Sequence, residues 1–278
     1  MTEVSPLVDV SPVFLGTAGW AHKVTKIEAY RILETFYENG FRWIDTATNY
    51  PIDREPKNYG KTISWISDFY ADFPDLKVYV KVGSATNQGD STQLINASYF
   101  ALIFDILRHR LGDCMSGLGI HWDNQTEDSD RTSLIDFFSE ISLAGFAIGM
   151  SGISKPELYA ANGIAANLPW IIQTNLSPAR SSQIATEIDQ LKMNFPEAKV
   201  YGYNLMGGIA FKGVPDLGNR LESLDGLLND TVSESRSGTM KRIIGRCLDF
   251  NLGGVVIGPA NYIQCMEWCT NLSRFPIE

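Results

Sequence analysis

Four side chains in this chain carry the groups needed to hand a proton to an oxygen: the carboxylate of Asp45, the phenol of Tyr50, the amine of Lys81 and the imidazole of His121. Asp45 and Tyr50 share one stretch, Phe41-Arg42-Trp43-Ile44-Asp45-Thr46-Ala47-Thr48-Asn49-Tyr50. Its first half alternates large apolar groups and reads as a buried strand entered after Asn39-Gly40. Its second half is small and polar, the composition of a strand end passing into a loop. Asp45 is therefore expected where that strand runs out, with Tyr50 five residues later. Lys81 lies inside Val78-Tyr79-Val80-Lys81-Val82-Gly83-Ser84, a β-branched run in which an unpaired amine is costly. His121 closes the run Leu118-Gly119-Ile120-His121-Trp122. Taken singly, each has a plainer role: a loop cap, a half-buried ring, a lysine with its stem on apolar surface, a satisfied core histidine.

Gathered together, the four would serve the reduction of a carbonyl, in which the carbon takes a hydride and the oxygen takes a proton. A phenol is a weak acid with a pKa near ~10. A cation within hydrogen-bonding reach lowers such a value by about one to three units, and Lys81 is the candidate. Asp45 would pair with Lys81, holding it in place and limiting the cost of burying its charge. His121 would donate a hydrogen bond to the substrate oxygen, where negative charge develops.

The elements that must bring these residues together follow a repeating order. Strand-like segments are expected at 13–17, across the first half of the opening stretch, around Lys81, and at 115–121, 147–151, 170–173, 199–204 and 255–258. Between and after them come segments with apolar residues at helical spacing, at 27–37, 63–70, 99–110, 134–143, 184–195, 239–250 and 261–272. Thr25-Lys26-Ile27-Glu28 and Ser154-Lys155-Pro156-Glu157 both read as capping boxes that start helices. The residues after Gly207-Gly208 form a mixed loop of about thirty, too long for a plain connector and so a candidate for function. Eight strand-then-helix units argue an α/β fold of the (β/α)8 TIM-barrel type, with catalytic groups at the C-terminal strand ends. An open doubly wound sheet is disfavoured, because no Gly-x-Gly-x-x-Gly follows the first strand.

Size and charge narrow the partners. At 278 residues and 44% apolar, the chain can fill one large core, and no linker-like stretch divides it, so residues 1–278 read as a single domain. Lys plus Arg number 23 against 32 Asp plus Glu, a net charge of −9, which argues against nucleic-acid binding. Any phosphate must be gripped locally, by backbone amides or a helix start. Met1-Thr2-Glu3-Val4-Ser5-Pro6 has neither a basic region nor an apolar core, and no apolar run approaches the ~20 residues that span a bilayer. A cytoplasmic protein without membrane partners is expected. Cys265 and Cys269 sit one helical turn apart and suit a packed helix face, while no Cys/His spacing suits zinc, so no metal is expected.

The order Asp45, Tyr50, Lys81, His121, with the sequence around each, resembles the aldo-keto reductase family, whose active site is an Asp-Tyr-Lys-His tetrad. The likeness runs from about Leu15 to Glu267. It implies an NAD(P)H-dependent reductase of a small-molecule aldehyde or ketone. The family's nicotinamide contacts fall on Ser151, Gln173 and Tyr203, although Gly152 stands where an asparagine is usual. After the eighth strand Gln264 is present, but Ala260 replaces the cation or hydroxyl that meets the adenosine 2′-phosphate, and Trp268 replaces a late asparagine. The resemblance favours NADP(H) over NAD(H), while Ala260 supplies no charge for it. Asn261 and Gln264 read equally as a capping box. Trp20 and Trp122, beside strand ends, would either wall a substrate pocket or pack loops. His22 lies near the first strand end and could line the same pocket, whereas His109, between two arginines, reads as solvated. The short tail Phe275-Pro276-Ile277-Glu278 implies an open pocket for a bulky substrate. The alternative reading, motivated by Gly152, Ala260 and Trp268, is a redox-inactive barrel that binds a cofactor or metabolite and regulates.

Overall fold

Runs rich in β-branched and aromatic residues form eight strands in the computed structural model, which describes residues 9–89, 92–124, 131–177, 181–206 and 236–273. They are β1 (Val13–Gly16), β2 (Trp43–Ala47), β3 (Lys77–Val82), β4 (Met115–His121), β5 (Ala147–Ser151), β6 (Trp170–Asn175), β7 (Lys199–Tyr203) and β8 (Gly254–Ile257). All run parallel, each is hydrogen-bonded to the next, and β8 returns to β1 through Val13 and Val255, so the sheet closes into a (β/α)8 barrel. Helices α1 (Lys26–Glu38), α2 (Lys61–Phe69), α3 (Ala97–Leu111) and α4 (Thr132–Leu143) cover the first four units. Helices α5 (Glu157–Ala160), α6 (Gly163–Ala166), α7 (Ser181–Asn194), α8 (Arg236–Asp249) and α9 (Tyr262–Leu272) cover the rest. No described helix is long and apolar enough to cross a membrane. The segment from Gly207-Gly208 to residue 235, the lead-in through residue 8 and the tail from residue 274 lie outside the described residues.

Local chemistry accounts for most boundaries. Thr25 caps α1 by accepting from the Glu28 amide at 3.3 Å, and Asn96 caps α3 through the Tyr99 amide at 2.9 Å. Arg108, His109 and Arg110 occupy the last turn of α3, where positive charge meets the negative end of the helix dipole. The Ser154 capping box does not form. The Ser154 hydroxyl binds the Asn124 side chain instead, and α5 lasts a single turn before Asn162-Gly163 ends it and α6 restarts, capped by Asn162. A second difference concerns β2. It runs on through Thr46 and Ala47, which pair with Val80 and Lys81, so Asp45 is the middle residue of its strand.

The strand period of two sorts side chains into two cores. Outward residues meet the helices in one extended apolar layer, with Ile32, Phe36, Phe100, Phe138 and Phe195 among its buried members. Inward residues of the lower barrel form a separate plug of Phe14, Trp43, Tyr79, Ala147, Ile171, Tyr201 and Val256. Phe14 is its hub, edge-on to Trp43 and Tyr201 at 5.3 Å and to Tyr79 at 5.9 Å. The plug fits because β4 and β5 present glycines to Tyr79: a Cβ on Gly119 or Gly149 would overlap its hydroxyl.

Candidate active site

Two residues along each strand from this aromatic floor stand Asp45 (after Trp43), Lys81 (after Tyr79), Gln173 (after Ile171) and Tyr203 (after Tyr201). The same face is therefore repeated one layer higher, and there it turns polar. Lys81 Nζ donates to Asp45 Oδ2 at 2.7 Å, to Tyr50 Oη at 3.2 Å and to Gln173 Oε1 at 3.2 Å. These three acceptors match the three hydrogens of an ammonium. Gln173 Nε2 donates to Asp45 Oδ1 at 2.6 Å, so each carboxylate oxygen has a donor. Asp45, Lys81 and Gln173 are no more than 4% exposed and Tyr50 is 6% exposed, which puts this cluster in a medium where its charges act strongly. Tyr50 is held by the turn that follows β2, its amide bonded to the Ala47 carbonyl and the Thr48 amide to the Lys81 carbonyl.

His121 ends β4 beside this cluster. Its ring stands edge-on to Tyr50 with centroids 5.6 Å apart, and lies 4.3 Å from the indole of Trp122. Its Nδ1 is 3.1 Å from Asn49 Oδ1. The four residues expected to act together are thus brought together, and two others join them: Gln173 as a brace of the ion pair, and Asn49, whose role nothing in the sequence signalled beyond its place next to Tyr50.

The electrostatics differ from expectation at one group. Burial raises the Tyr50 phenol above its usual 10.0, and the opposing pull of Lys81 is offset in part by Asp45. Lys81 pulls the phenol down as expected, through its charge and its hydrogen bond, but burial outweighs that pull and the net shift is upward. Burial works against the Lys81 charge, yet Asp45 and Tyr50 together outweigh it and raise the amine. His121 is driven well below its usual 6.5, first by burial and then by the Lys81 charge, and so is neutral.

On the cofactor side, Ser151 ends β5 between His121 and Gln173 in register, and Tyr203 ends β7, half-buried. A cavity of about 500 Å³ lies beside these strand ends, between them and α7, lined by Gly152, Gln173, Asn175 and Tyr203 on one side and Gln190 and Asn194 on the other. Gly152 has φ +67°, and a Cβ there would lie 2.5 Å from the Trp122 ring, so this glycine makes room for the indole. Trp122 is half-buried over His121, whereas Trp20 is 1% exposed and packs edge-on against Phe69 of α2, joining its loop to the outer core. His22 and His109 are both exposed. Gln264 belongs to the start of α9: its Oε1 accepts from the Ala260 amide at 2.9 Å while Asn261 caps the Gln264 amide at 2.9 Å. The Tyr262 amide donates to Glu28 Oε1 at 2.7 Å. Trp268, on the buried face of the same helix, is core.

A closed parallel barrel of eight strands alternating with helices defines the (β/α)8 class of folds. A model of the aldo/keto reductase family matches residues 12–201, well over half of the chain, and the protein belongs to that family. Among solved structures, an aldo-keto reductase from Bacillus halodurans in its holo form superposes with a TM-score of 0.68 at 18% identity, covering 98% of this chain and 91% of the other. A glycerol dehydrogenase from Gluconobacter oxydans gives 0.66 at 17% identity, covering 96% and 89%. At such identities these likenesses show the fold. No curated protein matches the chain.

Proposed function

We propose that the protein reduces an aldehyde or ketone to an alcohol with a nicotinamide dinucleotide, Tyr50 giving the proton. The observation that carries this reading is the Lys81 ammonium bonded at once to the Asp45 carboxylate and the Tyr50 hydroxyl, buried at a barrel mouth. Because Tyr50 Oη accepts from Lys81, its own hydrogen is free for a substrate oxygen. The raised phenol keeps that hydrogen throughout the neutral range and releases it when an alkoxide, a far stronger base, develops beside it. Lys81 then stands next to the phenolate and offsets its charge. His121, edge-on to Tyr50, would supply a second donor to the same oxygen through Nε2.

At the nicotinamide end of the cofactor, the Ser151 hydroxyl at the end of β5 and the Tyr203 ring, which lines the neighbouring cavity, would hold it. When bound, the reduced nicotinamide supplies the hydride. NADP(H), favoured by resemblance, gains little at α9, where the Ala260, Tyr262 and Gln264 amides already have partners and the cation at hand, Arg31 stacked 3.9 Å over Tyr262, is paired with Glu28 at 3.8 Å. NADH is therefore accepted at least as well. The same observation favours the second reading, a barrel that binds a metabolite without redox chemistry.

Steady-state assays against a carbonyl panel test the proposal. Reduction should hold level from about pH 6 to 9 and decline as the pH rises through the phenol's own value, since only the protonated form is competent. Tyr50→Phe should lose on the order of 10² to 10⁴ in kcat while still quenching or enhancing nicotinamide fluorescence on binding. Undiminished turnover by Tyr50→Phe removes the mechanism. Failure of the wild type to bind either reduced dinucleotide would leave the regulatory barrel.

A further inference from the structure

The hydrogen bond between His121 and Asn49 decides which ring nitrogen can act, and it can be made in two ways. A neutral imidazole carries one N–H and one lone pair. With the Asn49 carbonyl facing Nδ1 at 3.1 Å, the ring proton sits on Nδ1 and Nε2 presents only a lone pair. Asn49 is 0% exposed, and in that orientation its Nδ2 has no hydrogen-bond partner among the described residues. Two buried donors are left unpaired, the more costly kind of orphan, because an unmet N–H is rarer in folded proteins than an unmet carbonyl. A half-turn of the carboxamide exchanges its ends without moving any other atom. One Nδ2 hydrogen then meets Nδ1, so that one unmet N–H and the carbonyl oxygen replace two unmet N–H groups.

We propose that Asn49 donates through Nδ2 to His121 Nδ1 and so fixes the imidazole as the Nε2–H tautomer, with its donor turned to the reacting oxygen. Asn49 is thus a positioning residue acting through His121, and this consequence rests on the reductase reading. The tautomer itself does not. Burial and the nearby Lys81 charge keep the ring from taking a second proton, so the choice lies between two neutral forms.

The chain has three histidines, so long-range ¹H–¹⁵N spectra of uniformly ¹⁵N-labelled protein can resolve every ring, with His121→Gln identifying the signal of interest. The expected spectrum shows His121 with a protonated Nε2 and a pyridine-like Nδ1 across the neutral range. A protonated Nδ1 overturns the proposal. Asn49→Asp provides the second arm: a carboxylate only accepts, so the proton moves to Nδ1 and kcat should drop on the order of 10²-fold, the loss typical of one missing oxyanion donor, with dinucleotide affinity unchanged. Full activity in Asn49→Asp, with the tautomer reversed, overturns the positioning role. The spectrum needs no substrate, so a wild type that shows Nε2–H yet reduces no carbonyl supports the tautomer assignment and sinks the reductase reading instead.

Discussion

Gln173 carries two demands that conflict. The resemblance assigns it to the nicotinamide amide, but its carboxamide here closes a ring with Lys81 and Asp45. Both bonds involve a charged partner, and such bonds are roughly twice as strong as neutral ones. Turning the side chain toward a ligand would leave one lysine hydrogen and one carboxylate oxygen short in a buried site. Gln173 is therefore expected to stay with the ion pair. Gln173→Leu should lower kcat about tenfold or more while the Kd for the reduced dinucleotide, read by nicotinamide fluorescence, changes less than about threefold, the tenfold step corresponding to ~1.4 kcal/mol. A large rise in Kd with kcat preserved would return Gln173 to the cofactor. Gly152 shows the same kind of coupling at short range. The asparagine usual at this place could adopt its φ of +67°, but the Trp122 ring takes the volume a side chain would need.

At the scale of elements, strands were the most legible. A buried barrel strand is a short β-branched run, and β4 and β5 begin and end where their residues change character. What escaped is decided by contacts between distant segments. Asp45 looked terminal because Thr46 and Ala47 are small, yet it is their pairing with β3 that keeps them in the sheet. The capping box expected at Ser154 was lost to Asn124, a partner 30 residues away, and the helix that follows is broken into α5 and α6. The cap at α9 was readable as Asn261 and Gln264, but the third partner, Glu28, comes from α1. That carboxylate matters for cofactor choice. It satisfies the Tyr262 amide and offsets the charge of Arg31, which pairs with it at 3.8 Å and stacks over Tyr262, at the helix end where a 2′-phosphate would seek positive potential. Wild-type protein should bind NADPH no more tightly than NADH at low salt. Glu28→Ala should raise the NADPH-to-NADH affinity ratio several-fold, at a cost of about 0.3–1 kcal/mol in stability. Fluorescence titration of both dinucleotides checks this, and a wild type that already prefers NADPH tenfold would contradict it.

Across the whole molecule, the site is one layer of an otherwise apolar barrel, and that placement sets its energetics. That Asp45, Tyr50, Lys81 and His121 would meet was legible from their order along the chain and the strand-like runs that carry three of them. The floor beneath was not, since nothing local tells Trp43, Tyr79 and Tyr201 apart from outward-facing aromatics until the barrel closes around Phe14. With that floor in place, water cannot reach the Lys81–Asp45 pair from below, and the pair must be complete to be tolerated. Lys81→Met should therefore cost about 3–5 kcal/mol, because it leaves Asp45 buried without a cation. Adding Asp45→Asn removes the stranded charge, and the new amide oxygen still accepts from Gln173. The double variant should accordingly recover about half or more of the lost stability while remaining inactive, since Tyr50 has no ammonium beside it. Urea unfolding of the wild type, both single variants and the double closes the cycle and isolates the coupling between the two residues. A double variant no more stable than Lys81→Met would mean that the pair is solvated in the working protein. In that case the phenol would not be held above its usual value, and the proton transfer assigned to Tyr50 would need another source of control.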